Sequence, residues 1–354
     1  VTETGSSVGR WPRAVIFGCA GPALSADERK LFADADPLGL ILFQRNCEDP
    51  DQIRALIDDF RTAVGRTDAP VLIDQEGGRV QRLKPPHWRD APSAGALVAA
   101  VRDAGGDLEA VAEAVTVNAR LIAAELTELG ITVDCVPVLD LPVPGADAVI
   151  SDRAFGVGPD DTATLGGAAC EGALAAGVAP VIKHIPGHGR TTVDTHEALP
   201  VVDIALDELQ ASDFVPFRAL ADAPWAMTAH VVFSGLDAEN PATLSAKLIA
   251  GLIRDEFGFD GVLVSDDLGM SALKGGMGER AARAVEAGCD LALHCSGDFG
   301  EITDVAEMVP LMSETAHGRF VRAEVQRLRG RRLAGPFERE AALVRLTELT
   351  GGVF

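Results

Sequence analysis

A chain of 354 residues that is 47% hydrophobic can bury one large α/β core or two average ones, and this composition excludes a disordered protein. Its formal charge of −22 repels nucleic acid and anionic lipid, so a polyanion-binding role is set aside and any acidic substrate must be met by local Arg and Lys. The opening VTETGSSVGRWPR has no apolar signal-peptide core, and no apolar run approaches the ~18–20 residues that span a bilayer, so a soluble, cytoplasmic chain is expected.

Along the chain, short β-rich apolar runs alternate with helical patterns. The runs are AVIFGCA (14–20), GLILFQR (39–45), APVLIDQ (69–75), ITVDCVPVLDL (131–141), VAPVIKHI (178–185), WAMTAHVVF (225–233), GVLVSDDL (261–268) and DLALHC (290–295). Near-continuous apolar strands separated by helices indicate a parallel sheet covered on both faces. The clearest helix is 107–129, where Leu108, Val111, Val115, Ala119, Ile122, Leu126 and Leu129 step by three and four before Gly130. Weaker helical patterns occupy 50–64, 160–176, 207–221, 245–257, 278–287 and 300–313. The tail after 313 predicts one or two closing helices, with RLRGRR as a solvated face.

Eight strands with intervening helices predict a (β/α)8 TIM-type barrel, a single domain over 1–354 with closing helices at about 314–354. The competing open, doubly wound sheet would want a glycine-rich phosphate turn after an early strand, and GCAG (18–21) is not one. No fixed-period repeat or low-complexity linker divides the chain. The six cysteines (19, 47, 135, 170, 289, 295) show no C-x-x-C spacing and several sit in apolar runs, so they are read as reduced core residues.

In a barrel, reacting groups stand where strands end, at the carboxyl edge. Those ends carry Asp74, Asp140, Lys183 with His184, His230, Asp266 with Asp267, and His294. Five of the seven histidines (184, 188, 196, 230, 294) fall at or just beyond strand ends, and KHIPGHGRTTVDTHEALP (183–200) holds three of them. VLIDQEGGRVQRL (71–83) places Asp74 before a Gly-Gly turn, with Arg79 and Arg82 after it. GVLVSDDLGM (261–270) ends on two carboxylates, and alternation points one of them into the mouth as a candidate nucleophile or metal ligand.

Together KHIPGHGRTTVDTH, DQEGGRVQR, SDRAFG and VSDDLGM resemble glycoside hydrolase family 3, and within it the single-domain bacterial β-N-acetylhexosaminidases of peptidoglycan recycling, through roughly residues 14–300. The resemblance implies a retaining, two-step release of terminal β-linked N-acetylglucosamine, without cofactor or metal, through a covalent glycosyl-enzyme. The implied substrate is a small carbohydrate, either a muropeptide such as a GlcNAc-1,6-anhydroMurNAc peptide or another GlcNAc-terminated oligosaccharide. No obligate protein partner, nucleic acid or membrane is expected.

The resemblance also implies roles. Asp266 matches the nucleophile, His196 the general acid/base and Asp194 its partner, while Asp74, Arg82, Arg153, Lys183 and His184 match residues that hold the terminal sugar. Asp267 is read as structural or supporting. Glycoside hydrolysis ordinarily pairs two carboxyl groups. An imidazole, whose free pKa is about 6.5, suits the proton-exchanging half of that work at neutral pH. Gly187 and Gly189 are expected to let the loop swing His196 over the sugar, making it more mobile than the strands.

Two rival readings stand beside this one. A metal hydrolase could use His184, His188, His196, His230 and the strand-end aspartates, although the sequence has no H-x-H at a strand end and no H-E-x-x-H helix. A family 3 phosphorylase would attack the same intermediate with phosphate instead of water. SALK (271–274) matches S-x-x-K but has no K-T-G partner, and is read as a helix start. DADPLG (34–39) begins like a calcium loop, but its twelfth position is Arg45. His87 and His317 are read as surface residues and Trp88 and Trp225 as core, with His230 and His294 open between packing and ligand contact.

Overall fold

Each apolar run supplies one strand of a closed parallel barrel in the computed structural model, which describes residues 11–191 and 199–354. The strands are β1 (Arg13–Phe17), β2 (Pro37–Leu42), β3 (Val71–Ile73), β4 (Val133–Asp134), β5 (Ala179–Ile185), β6 (Trp225–Thr228), β7 (Val262–Asp267) and β8 (Leu291–His294). Each pairs in parallel with its sequence neighbours, and β8 returns to β1 through Val15 opposite Ala292 and Phe17 opposite His294. The open-sheet alternative is thereby ruled out. Every residue of β2 and β5 is buried, which is why these runs read as unbroken apolar segments and not as alternating ones.

Helices cover the outside: α1 (Ala26–Ala35), α2 (Pro50–Val64), α3 (Ala94–Asp103), α4 (Leu108–Leu129) and α5 (Pro159–Ala176) come first. Asp107 caps α4 by accepting from Ala110 N at 3.0 Å, and Gly130 ends it at φ +89°, a left-handed conformation that suits glycine. The sequence patterns miss α1 and α3. The pattern at 207–221 resolves into two short helices, α6 (Leu206–Ala211) and α7 (Val215–Ala219). Leu248–Glu256 winds with wide i→i+5 turns, and α8 (Met277–Ala287) and α9 (Phe299–Met308) follow. Ser271–Lys274 lies in the turns before α8, not at a helix start.

The tail forms α10 (Glu314–Leu333) and α11 (Arg339–Leu349), which pack on α5 and α4 respectively. Asp290, at the amino end of β8, ties α10 to the barrel floor. Its carboxylate accepts from Arg254 at 2.7 Å, Arg319 at 3.0 Å and Leu263 N at 2.9 Å. The cysteines Cys19, Cys135, Cys170, Cys289 and Cys295 are buried, and all six are unpaired. Trp225 is fully buried and Trp88 packs partly buried on the core; His87 is exposed, while His317 is half-buried against the Trp11 ring.

Candidate active site

Asp74 follows β3 directly, and the chain then folds back through a hairpin of Gln75–Gly77 and Val80–Gln81. The turn needs glycine: Gly77 has φ +89°, and a Cβ there would stand 2.1 Å from the Pro92 carbonyl oxygen. The Gln75 amide oxygen accepts from Arg82 N at 2.9 Å and Leu83 N at 3.0 Å, closing the hairpin. Arg82 is thus carried back to Asp74, with Nη2 at 3.3 Å from Oδ2 and its guanidinium 5.1 Å from the Phe43 ring centre.

Lys183, on β5, joins this group from inside the barrel. Its Nζ lies 2.8 Å from Asp74 Oδ1 and 2.7 Å from Glu76 Oε1. Glu76 in turn accepts from Arg153 Nε at 2.9 Å and Nη2 at 2.8 Å, a bidentate pair. Arg153 stands on a single 3-10 turn, Ser151–Arg153, and Arg79 steadies that loop by donating to the Ala148 and Val149 carbonyls at 2.7 Å each. Three cations therefore share two carboxylates. Burial alone would raise the Asp74 carboxyl, but Lys183 and Arg82 hold it well below the usual carboxylate range. Glu76 is likewise depressed against its burial by Lys183 and Arg153, so both stay ionised.

Asp266 closes the opposite side. It ends β7 with 8% of its surface exposed, and its Oδ1 accepts the Asp267 N–H at 2.8 Å. Its Oδ2 accepts no hydrogen bond among the described residues. Burial would raise this carboxyl too, yet His184, His230 and the Asp267 N–H keep it below its ordinary value and ionised at neutral pH. Asp74, Arg82, Arg153, Lys183, His184 and Asp266 all line one cavity of about 350 Å³ at the carboxyl end of the barrel. Asp194 and His196 lie outside the described residues.

The other strand-end groups are engaged with the surrounding structure, although Asp267 also lines the cavity. Asp267 Oδ1 accepts from Gly269 N at 3.0 Å and Cys295 N at 3.2 Å, bracing the ends of β7 and β8. His230 is fully buried between Thr243 Oγ1 at 2.7 Å and the Asp267 carbonyl at 3.0 Å; His294 meets Ser296 Oγ at 3.0 Å. Neither lines the cavity, whereas His188 does. Burial and the neighbouring His184 push the His188 imidazole down to about 4, which leaves it neutral.

The two glycines of PGHG are needed for different reasons. Gly187 does use a left-handed backbone at φ +146°, but Gly189 has no such need. A Cβ on Gly189 would stand 2.2 Å from the Leu141 carbonyl oxygen, so that glycine permits close packing. Arg190, held by Asp213 at 2.6 Å and Glu208 at 2.7 Å, pins the same loop. Glu76 is a site residue the sequence reading passes over. Its one signal is position, two residues beyond Asp74 in DQEGG, where a hairpin can return it to the same mouth.

Asp134, at the end of β4, carries a consequence for stability. It is 1% exposed and its Oδ1 accepts from Gln75 N at 2.9 Å; burial pushes its carboxyl well above the ordinary range. An acid raised on folding must regain a proton that the unfolded chain has lost above about pH 4, so it costs stability increasingly as pH rises toward the folded value. Asp134→Asn keeps the Gln75 bond without that cost. Thermal melts should show its midpoint at pH 7 raised by roughly 2 °C or more, with the gain vanishing near pH 4. A lower midpoint at pH 7 would count against a protonated Asp134.

With this geometry in place, similarity to known proteins defines the class. The sequence profile of the Glycosyl hydrolase family 3 N terminal domain matches residues 13–329. The Beta-hexosaminidase of Methylococcus capsulatus is 40% identical over 285 residues, covering 79% of this chain and 82% of that protein. The Beta-hexosaminidase of Alkalilimnicola ehrlichii is 41% identical over 287 residues, covering 80% of each. Among solved structures, NagZ from Neisseria gonorrhoeae in complex with N-trifluoroacetyl-D-glucosamine superposes with a TM-score of 0.84 at 31% identity, covering 97% of this chain and all of that one. A family 3 β-N-acetylglucosaminidase from Paenibacillus matches with a TM-score of 0.81 at 34% identity, over 95% of this chain and 67% of that one. The fold and the carboxylate-bearing mouth are those of a (β/α)8 glycosidase. The chain belongs to glycoside hydrolase family 3.

Among the described residues, no group of three or more His, Cys, Asp or Glu is arranged to hold a metal ion. No helix in that range is long and apolar enough to cross a membrane.

Proposed function

We propose that this family 3 chain is a β-N-acetylhexosaminidase acting as a retaining exo-β-N-acetylglucosaminidase on peptidoglycan fragments. The observation that carries the reading is an ionised Asp266, one oxygen of which accepts no hydrogen bond among the described residues, facing Asp74, Lys183 and Arg153 across a single sugar-sized cavity. The relatives' names, and the N-acylated glucosamine bound by the gonococcal neighbour, support the sugar class. A cytoplasmic setting fits the six unpaired cysteines.

In the first step an Asp266 oxygen bonds to the anomeric carbon as the bond to the leaving oxygen breaks. That oxygen keeps the electron pair and takes a proton from His196, which Asp194 orients. In the second step water attacks the same carbon, the ester to Asp266 breaks, and the water proton returns to His196. The Asp74, Lys183 and Arg153 charges, which line the cavity, stand ready to bind sugar hydroxyls, with Glu76 behind them holding both cations. Arg82, Arg153 and Lys183 offset, locally, the field that the chain's −22 charge presents to an anionic peptide stem.

The direct test is release of N-acetylglucosamine from GlcNAc-1,6-anhydroMurNAc peptides by metal-depleted protein, with and without phosphate. Release that is independent of both metal and phosphate is expected. No release overturns the reading, and a sugar 1-phosphate product would make the chain a phosphorylase. His196→Ala should slow natural linkages at least roughly 10²-fold. Nitrophenyl glycosides, whose leaving group needs little protonation, should suffer far less. Equal losses on both substrates would remove His196 from the acid role.

A further inference from the structure

Asp140 is a buried carboxylate behind the mouth to which neither the sugar network nor the nucleophile assigns a task. Its side chain is fully buried, and both of its oxygens serve the loop that follows β5. Oδ2 lies 2.7 Å from His184 Nδ1, while Oδ1 accepts the His188 N–H at 2.7 Å and faces the His184 N–H at 3.3 Å. The surrounding backbone is laced in the same sense. Leu139 N donates to the Lys183 carbonyl at 2.7 Å, Lys183 N to Pro137 O at 3.1 Å, and Val143 N to Gly189 O at 3.2 Å. His184 therefore has little freedom to turn.

The chemistry of the contact is directional. Burial would raise the Asp140 carboxyl, but His184 and the His188 N–H hold it below its ordinary value, so it is an acceptor only. A carboxylate 2.7 Å from Nδ1 demands the proton on Nδ1. In the neutral ring this leaves Nε2 bare, on the edge of the imidazole away from Asp140, and His184 lines the catalytic cavity. The opposite tautomer would offer a donor there, so a sugar hydroxyl that donates to the bare Nε2 would have to turn its own proton away and accept instead.

We propose that Asp140 is a positioning residue for the reaction: by fixing the His184 tautomer, it makes Nε2 the hydrogen-bond acceptor for a hydroxyl of the sugar bound against Asp266. The inference rests on His184 touching the sugar, as in the reading above. It extends that reading to a residue whose side chain never reaches substrate.

The test begins with a measurement that needs no turnover. In protein labelled with ¹⁵N-histidine, with the His184 signals assigned through His184→Gln, the wild-type ring should carry its proton on Nδ1. In Asp140→Asn the amide can turn its NH₂ toward Nδ1, and the tautomer should reverse. Asp140→Glu keeps an anionic acceptor and should retain the Nδ1 proton. A wild-type ring protonated on Nε2, alone or together with Nδ1, overturns the proposal. On an aryl N-acetylglucosaminide, Asp140→Asn should lower kcat/KM by roughly 10- to 100-fold. In a His184→Gln background the same change should cost no more than about 3-fold, because the two residues act as one unit. Additive losses would mean that Asp140 acts only on the fold. If the wild type turned over no glycoside, the functional reading would fail while the spectra still decided the tautomer.

Discussion

Asp266→Asn should abolish turnover of natural and nitrophenyl glycosides alike, by roughly 10⁴-fold or more, while the protein should melt within a few degrees of wild type. Asn has the shape of Asp, and its amide oxygen can still accept the Asp267 N–H that the carboxylate accepts at 2.8 Å. What disappears is the charge and the nucleophilic oxygen. An activated leaving group cannot restore either, so this variant should show none of the substrate dependence expected of His196→Ala. The change also upsets the charge balance of the mouth, where Arg82, Arg153 and Lys183 face Asp74, Glu76 and Asp266. A sugar bearing fluorine at carbon 2 slows both steps and lets the ester accumulate. Peptide mapping by mass spectrometry should then find it on Asp266. A label on Asp267, or appreciable activity in the Asn variant, would falsify the assignment.

That Asp266 and not Asp267 should carry the ester follows from strand geometry that the sequence shows only halfway. Alternation says that the two side chains diverge. It is the turn after β7, whose Gly269 N–H and the nearby Cys295 N–H bind Asp267 Oδ1, that says which one is occupied with the backbone. The barrel itself is legible because parallel strands covered on both faces must be apolar throughout, and all eight runs stand out against their surroundings. Helix α1 is missed although ALSADERKLF contains a capping box: Ser25 Oγ accepts from Glu28 N at 3.1 Å and Glu28 accepts from Ser25 N at 2.8 Å. Its weak apolar stripe conceals it, since only Glu28, Phe32 and Ala35 are buried.

The site divides in the same way. Asp74, Lys183 and His184 sit at strand ends, where position alone draws attention to them. Glu76 sits on a hairpin whose direction depends on Gly77 packing against Pro92 and on the Gln75 side chain closing the turn, contacts that no local pattern announces. Gly189 is a similar case. A glycine beside a histidine suggests freedom, and only the neighbouring chain at Leu141 shows that it also permits close approach.

Glu76→Ala tests whether the mouth is held by that unforeseen carboxylate. Lys183 is 2% exposed and Arg153 is 13% exposed, so removing their shared anion leaves Arg153 without its carboxylate and Lys183 with Asp74 alone. Breaking a buried pair from one side costs about 3–5 kcal/mol, and the melting midpoint should fall by roughly 5–10 °C. Both cations would then shift toward Asp74, away from the places proposed for them on the sugar, and kcat/KM should drop by roughly 10²–10³-fold. Glu76→Gln separates the two effects, because it keeps the size and one acceptor but not the charge. Its stability deficit should be full at neutral pH and shrink as pH falls below about 4, because the unfolded wild-type chain then takes up a proton that the depressed folded carboxyl does not. A deficit that stayed constant down to pH 3 would point to lost packing and not lost charge, and the three-cation, two-anion account of the mouth would have to be abandoned.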